Sequence, residues 1–154
     1  MSFRSSLRLL AMLPALALAF SAGAADGSHL KDFPKKHKVV YQLIDPGPDK
    51  ARLVLRNIQQ HVEGVGGWQH FEALELVVHG QALKSFVKDE IDPGVKRTLE
   101  MLQTQGMQFG ACGNTMRNFS ITLEQLPDGS KLLPQGGVVR LMELQEAGYV
   151  YLRP

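Results

Sequence analysis

Short apolar runs alternate along the chain with amphipathic stretches of helical period. Lys38-Val39-Val40-Tyr41-Gln42-Leu43-Ile44 is β-branched and apolar, and Asp45-Pro46-Gly47-Pro48 closes it, which is the pattern of a buried strand leaving a sheet. Asp49 is expected to cap a helix in which Ala51, Val54 or Leu55, Ile58 and Val62 recur at helical spacing, with Lys50, Arg52, Arg56 and Gln59 outward. Residues 64–67 end it. A second strand is predicted over 74–79, and a short helical piece over 82–87. Asp92-Pro93 reads as the N-cap and first position of a longer helix whose Val95, Leu99 and Leu102 form the apolar stripe, stopped by Gly106.

The third predicted strand, 107–112, becomes small-residue near its end. Asn114 or Thr115 is expected to start a further helix running through Met116 and Phe119, and Thr122 with Gln125 offers a capping box before Pro127-Asp128-Gly129. Lys131-Leu132-Leu133 makes a minimal fourth strand. Gly137 opens a helix with Val138, Leu141, Met142 and Leu144 inside and Arg140, Glu143 and Glu146 outside, and residues 149–152 form the last strand. Strands alternating with helices through short connections imply βαβ crossovers, hence an α/β fold whose parallel sheet is covered on both faces. No repeats or low-complexity tracts interrupt it.

The first 24 residues follow a different pattern. Arg4 and Arg8 precede an apolar run interrupted only by Pro14, and Ala22-Gly23-Ala24 supplies a small-x-small cleavage pattern, so residues 1–24 read as a cleavable export signal. The run is about a dozen residues, short of the roughly 20 that span a bilayer as a helix. Export to the periplasm with cleavage after Ala24 is expected, followed by a flexible lead over 25–37 and a single domain over 38–154. Subtracting Arg4 and Arg8 from the 17 basic residues leaves 15, equal to the 15 acidic ones, so the apparent basic excess belongs to the signal. No basic stripe alternates with aromatics, which argues against a nucleic-acid partner. The densest basic stretch, around Lys35, Lys36 and Lys38, reads as a solvated tether, with a polyanion contact as the alternative.

Chemistry is sought at the carboxyl ends of the strands, where open parallel sheets bind ligands. Asp45, His79 and Cys112 fall there. Cys112 is the chain's one cysteine, so an internal disulfide is impossible and a free thiol in an oxidising compartment needs explaining. Cys112-Gly113-Asn114 sits between a strand end and a helix start, where unpaired amides and the helix dipole favour a thiolate, and Arg117 adds positive charge one turn on. A lowered thiol pKa is predicted. The plainer reading makes Cys112 a small buried hydrophobe. His79 is either a structural histidine or a proton carrier beside the thiol, and Asp45 is most simply a turn residue before Pro46. Gly64-Val65-Gly66-Gly67 lacks the setting of a dinucleotide fingerprint, and no phosphate-loop lysine follows any glycine-rich turn. His61, His70 and His79 place no two imidazoles on one helical turn, and Cys112 has no metal-ligand neighbour, so neither metal nor cofactor is expected. Absence of Cys-x-x-Cys excludes a dithiol cycle within one chain.

Phe109-Gly110-Ala111-Cys112-Gly113-Asn114-Thr115-Met116, with Val77-Val78-His79-Gly80 before it and Gly137-Val138-Val139-Arg140-Leu141 ahead of Gly148-Tyr149-Val150-Tyr151, resembles the DsrE/DsrF-like family in its exported branch. The resemblance spans 38–154. It implies a three-layer α/β/α domain with a five-stranded parallel sheet, assembling into homo-oligomers such as trimers or hexamers. In cytoplasmic relatives a cysteine near a strand end carries sulfane sulfur as a persulfide and passes it to a partner, and Cys112 matches that position. The chain departs from those relatives in location, which leaves sulfur donor and acceptor protein open. Two functions follow as expectations. In one, Cys112 is the persulfide carrier or nucleophile, with Gly113, Asn114 and Arg117 holding charge and His79 assisting. In the other, the protein is a non-catalytic oligomeric module whose strand-end crevice binds a small ligand while Cys112 merely packs. A self-associating surface is also expected from an apolar-faced short helix and from Trp68 and Phe86 as exposed aromatics.

Overall fold

The computed structural model describes residues 36–154. The expected signal at 1–24, and the lead up to residue 35, lie outside the described residues.

Five strands, β1 (His37–Leu43), β2 (Phe71–Val78), β3 (Gln108–Cys112), β4 (Ser130–Leu133) and β5 (Val150–Leu152), form one all-parallel sheet in the order β4-β3-β2-β1-β5. Four helices connect them: α1 (Pro48–Gly64), α2 (Pro93–Thr104), α3 (Gly113–Phe119) and α4 (Gly137–Glu146). Short 3-10 segments, Trp68–His70, Gly80–Phe86 and Leu123–Gln125, fill the connections. The expected five-stranded α/β architecture is therefore present.

Strand side chains alternate between two unequal faces. One carries Val39, Tyr41, Leu43, Leu74, Leu76, Val78, Phe109 and Ala111, which join Ala51, Leu55 and Ile58 of α1 and Val95, Leu99 and Leu102 of α2 in the main core. Phe86, fully buried, meets Phe109 with ring centroids 4.9 Å apart. The opposite face carries Val40, Val77 and Leu133, against which Leu141 and Leu144 of α4 make a second, small cluster. Beside that cluster Glu75 of β2 is sealed under Arg140 of α4 in a two-pronged pair, Nε to Oε1 at 3.0 Å and Nη2 to Oε2 at 2.7 Å. Both Glu75 oxygens are thereby satisfied, which a buried carboxylate requires.

The local expectations fare unevenly. Asp92 caps α2 through Oδ1, which accepts from the amides of Gly94 at 2.9 Å and Val95 at 3.0 Å, and Pro93 takes the first position. Thr122 and Gln125 form the expected capping box around one 3-10 turn. Asp49, however, does not cap α1: Gly47 does, because Pro48 has no N–H to satisfy and its fixed φ opens the helix two residues earlier. Asp49 instead pairs with Arg52 at 3.0 Å. β2 begins at Phe71, three residues before the predicted start, and His37, assigned to the lead, already pairs with Phe71. α3 starts directly at Gly113 with Cys112 as its N-cap. Phe86 is core and Trp68 is half-buried beside that core, so neither is the exposed aromatic that was expected. Val138 and Met142, predicted inside α4, are 68% and 51% exposed. Among the described residues α4 is the only helix on its side of the sheet, so the sheet receives one narrow stripe, Leu141 and Leu144, and no described residue covers the flanking apolar ones. No helix of the described residues is long and apolar enough to cross a membrane.

Candidate functional site

β3 runs into α3 without a loop. Cys112 is the last strand residue and the residue before the first helical one, so its sulfur lies beside amides that have no intrahelical partner. By alternation Cys112 shares the α4 face with Gly110, as His79 does with Val77 and Glu75. A pocket of about 260 Å³ gathers these groups: His79 and Gly80 after β2, Cys112, Asn114 and Thr115 at the β3–α3 junction, and residues 135–139 at the start of α4.

Cys112 is buried, only 5% exposed. Burial pushes the thiol up, but the Thr115 hydroxyl and the amides of Thr115, Gly137 and Asn114 outweigh that and hold it below the ordinary value. Donors thus come from two helix starts, α3 and α4. Thr115 is aimed by its own partner. Its Oγ1 accepts the Gly80 amide at 2.9 Å, which leaves its hydroxyl hydrogen for the sulfur. Two glycines let α4 come this close. A Cβ on Gly136, whose φ is +94°, would stand 2.6 Å from Asn114 Nδ2, and one on Gly137 would stand 3.1 Å from His79 Cβ.

Not every residue singled out from the sequence reaches the pocket. His79 and Asn114 line it, and Gly113 is the buried step from Cys112 into α3. Burial, and after it the charge of Arg153, hold the His79 imidazole below its ordinary pKa. Arg117 is exposed and donates to Asn114 Oδ1, so it touches the wall residue and not the cavity. Asp45 sits on the loop after β1, half-exposed and 3.4 Å from Arg153. A larger cavity, about 610 Å³, lies between α1 and α2. Its guanidinium of Arg52 is already engaged by Asp49 and Asp92, and its lining includes no cysteine or histidine.

The sequence matches the profile of the DsrE/DsrF-like family over residues 16–154. The chain belongs to the DsrE/DsrF-like family. Solved structures agree on the fold. A protein of unknown function, MTH1491, from Methanobacterium thermoautotrophicum superposes with a TM-score of 0.68 at 21% identity, covering 77% of this chain and all of that one (100%). The ychN protein of E. coli gives 0.57 at 16% identity, covering 77% of this chain and 99% of that one. The conserved protein of unknown function BT1422 from Bacteroides thetaiotaomicron gives 0.51 at 16%, with 76% and 94% covered. No curated protein matches the chain.

In this family member, the sequence marks Thr115 and Gly137 only as helix starts, without their place beside the thiol, and does not single out Gly136. A threonine three residues after an N-cap is a detectable signal, because that position folds its side chain back over the helix start as a capping-box partner does. Gly136-Gly137 ahead of a helix was legible as a close approach, though not what it approaches.

Proposed function

We propose that this DsrE/DsrF-like protein is an exported, periplasmic carrier of sulfane sulfur, in which Cys112 takes up a sulfur atom as a persulfide and hands it to an acceptor thiol. The observation that carries the reading is the thiol held below its ordinary pKa by donors from two helix starts, on the wall of a pocket. The thiolate is the attacking species, and the same donors suit a persulfide anion. With a polysulfide donor, the Cys112 thiolate attacks a sulfane sulfur. A new S–S bond forms at Cys112, the donor's S–S bond breaks, and a shorter polysulfide leaves with the electron pair. An acceptor thiolate then takes the outer sulfur and Cys112 leaves as thiolate, so no oxidant is needed. Gly113 and Asn114 shape the turn that presents the sulfur, Arg117 steadies Asn114, and His79 assists from the opposite wall.

Assembly as a homo-oligomer belongs to the same proposal. Val138 and Met142 on α4 are 68% and 51% exposed, and at the two sheet edges Val150 and Leu132, on the α1/α2 side, are 56% and 46% exposed, apolar surface that a second copy can cover. A second reading has one observation in its favour: a thiol only 5% exposed is also what a packing cysteine looks like, in which case the pocket binds a small ligand without turnover. One experiment separates them. Intact-mass measurement after incubation with polysulfide should show added sulfur that reductant removes, absent in Cys112→Ser. A thiol that stays unreactive until the protein unfolds would leave the binding module as the function.

A further inference from the structure

The strands beside the pocket carry a second set of polar side chains on the α4 face. β1 and β2 are in register with Gln42 opposite Val77, and β5 joins β1 with Tyr151 opposite Val40. Gln42, Tyr151 and His79 therefore emerge on one face at neighbouring positions. Gln42 Nε2 lies 2.6 Å from His79 Nε2, while the Tyr151 hydroxyl donates to Gln42 Oε1.

We propose that Gln42 and Tyr151 are positioning residues which fix His79 in the tautomer protonated on Nδ1, so that His79 serves the sulfur pocket as a hydrogen-bond donor. The argument is one of donor and acceptor balance. A phenol O–H bonded to Gln42 Oε1 fixes which end of the amide faces away from β5. The amide nitrogen, which can only donate, then faces His79. Nε2 must accept with its lone pair, and the ring proton resides on Nδ1. No protein group among the described residues pairs with Nδ1, and His79 forms part of the pocket wall. The ring cannot swing freely, because its Cβ, Cγ and Cδ2 pack on the α-carbon side of Gly137, the residue whose amide also serves the thiol.

The charges nearby favour the same state. Arg153 is the cation that, after burial, holds His79 below its ordinary pKa, and the carboxylate of Asp45 lies beside Arg153 and not beside the imidazole. A neutral His79 donates one N–H to an incoming sulfur anion without forming a thiolate–imidazolium pair. Nε2 is occupied and takes no part as a base.

The inference rests on the sulfur-carrier reading for its purpose, but its first test does not. In the full chain labelled with 15N-histidine, two-bond 1H–15N correlations near neutral pH should show His79 Nε2 unprotonated and Nδ1 protonated. Gln42→Glu places an acceptor where a donor stood, so Nε2 should become protonated. Tyr151 is on an exposed edge strand, so Tyr151→Phe should keep the fold while freeing the amide, giving mixed tautomers and sulfur uptake from polysulfide slowed in proportion to the Nδ1–H form lost, toward a limit of roughly tenfold, the worth of one hydrogen bond to an anion. A wild-type Nε2 that carries the proton, or a Tyr151→Phe spectrum and uptake rate identical to wild type, overturns the proposal. Wild-type protein that takes up no sulfur while showing the Nδ1–H tautomer would overturn the carrier reading and leave the relay standing as a feature of a ligand pocket.

Discussion

Among the described residues, 24 buried ones form one continuous apolar core on the sheet face covered by α1 and α2. On the face covered by α4, five do, and the remaining space is taken by a buried ion pair, the exposed apolar flank of α4 and the Cys112 pocket. The difference separates two jobs. Apolar burial at about 25 cal/mol per Å² is the dominant favourable term in folding, so the first face supplies most of the stability. The second face, having little core to protect, can hold polar groups at fixed geometry and leave surface free for association.

The comparison is broken most directly by equalising the two faces. Phe86→Ala opens a void against Phe109 and should cost about 3–5 kcal/mol in urea unfolding. Met142→Ser, on the exposed flank of α4, should change stability by no more than about 0.5 kcal/mol. The same Met142→Ser, combined with Val138→Ser, should shift light scattering from oligomer toward monomer. Equal costs at the two positions would mean that α4 is as much a part of the core as the 3-10 segment Gly80–Phe86.

Glu75→Gln probes the polar element of the open face. It strips one partner from a buried pair and leaves Arg140 facing a neutral amide, which should cost about 3 kcal/mol, against less than about 1 kcal/mol for Glu143→Gln, whose exposed carboxylate lies 3.7 Å from the same guanidinium. Guanidinium-chloride midpoints that move equally for the two variants would show the Glu75 pair to be no better than a surface contact.

How much of this was legible in the sequence follows the same division. The stripe Val95, Leu99, Leu102 and the β-branched runs reported the closed face correctly, because residues buried against two helices keep their period. Cys112 at a strand-to-helix junction was also readable, since Gly110-Ala111-Cys112-Gly113 is too small and too apolar to be a surface turn. Val138 and Met142 misled, because an apolar helical period says which residues avoid water and not whether this chain or another copy covers them. Thr115 and the Gly137 amide acquire their role only when α4 arrives some twenty residues later, and the Tyr151–Gln42–His79 link joins β5, β1 and the end of β2. Such contacts are set by sheet order, which no local pattern encodes.

Thr115→Val should have a smaller energetic effect and a larger chemical one. The variant keeps the shape but leaves the Gly80 amide without its acceptor, costing about 1–2 kcal/mol of stability. It also removes the hydroxyl that favours the thiolate, so the pH midpoint of Cys112 alkylation should rise. Thr115→Ser should restore both. An unchanged midpoint in Thr115→Val would assign the lowered thiol pKa to the amides alone.

The smallest expected effect compares one histidine from each face. His61, which shares a hydrogen bond of 2.9 Å with Tyr41, is held below its ordinary value of 6.5 by burial and then by His37, and His79 is held down by burial and then by Arg153. A group whose folded pKa is lower than its unfolded one binds more protons in the unfolded chain throughout the interval between the two values. Stability therefore falls as the pH drops from about 6.5 through the folded value, and falls no further below it. Urea unfolding at about pH 8 and about pH 5.5 should show wild-type protein losing stability on acidification, with a smaller loss in His61→Gln and in His79→Gln and the smallest in the double variant. Because the two imidazoles lie on opposite faces without shared partners, the two reductions should add. A double variant that loses as much as wild type would place the acid sensitivity outside both faces, and a reduction confined to His61→Gln would mean that the open face gives water enough access to His79 to leave its proton affinity unchanged on folding.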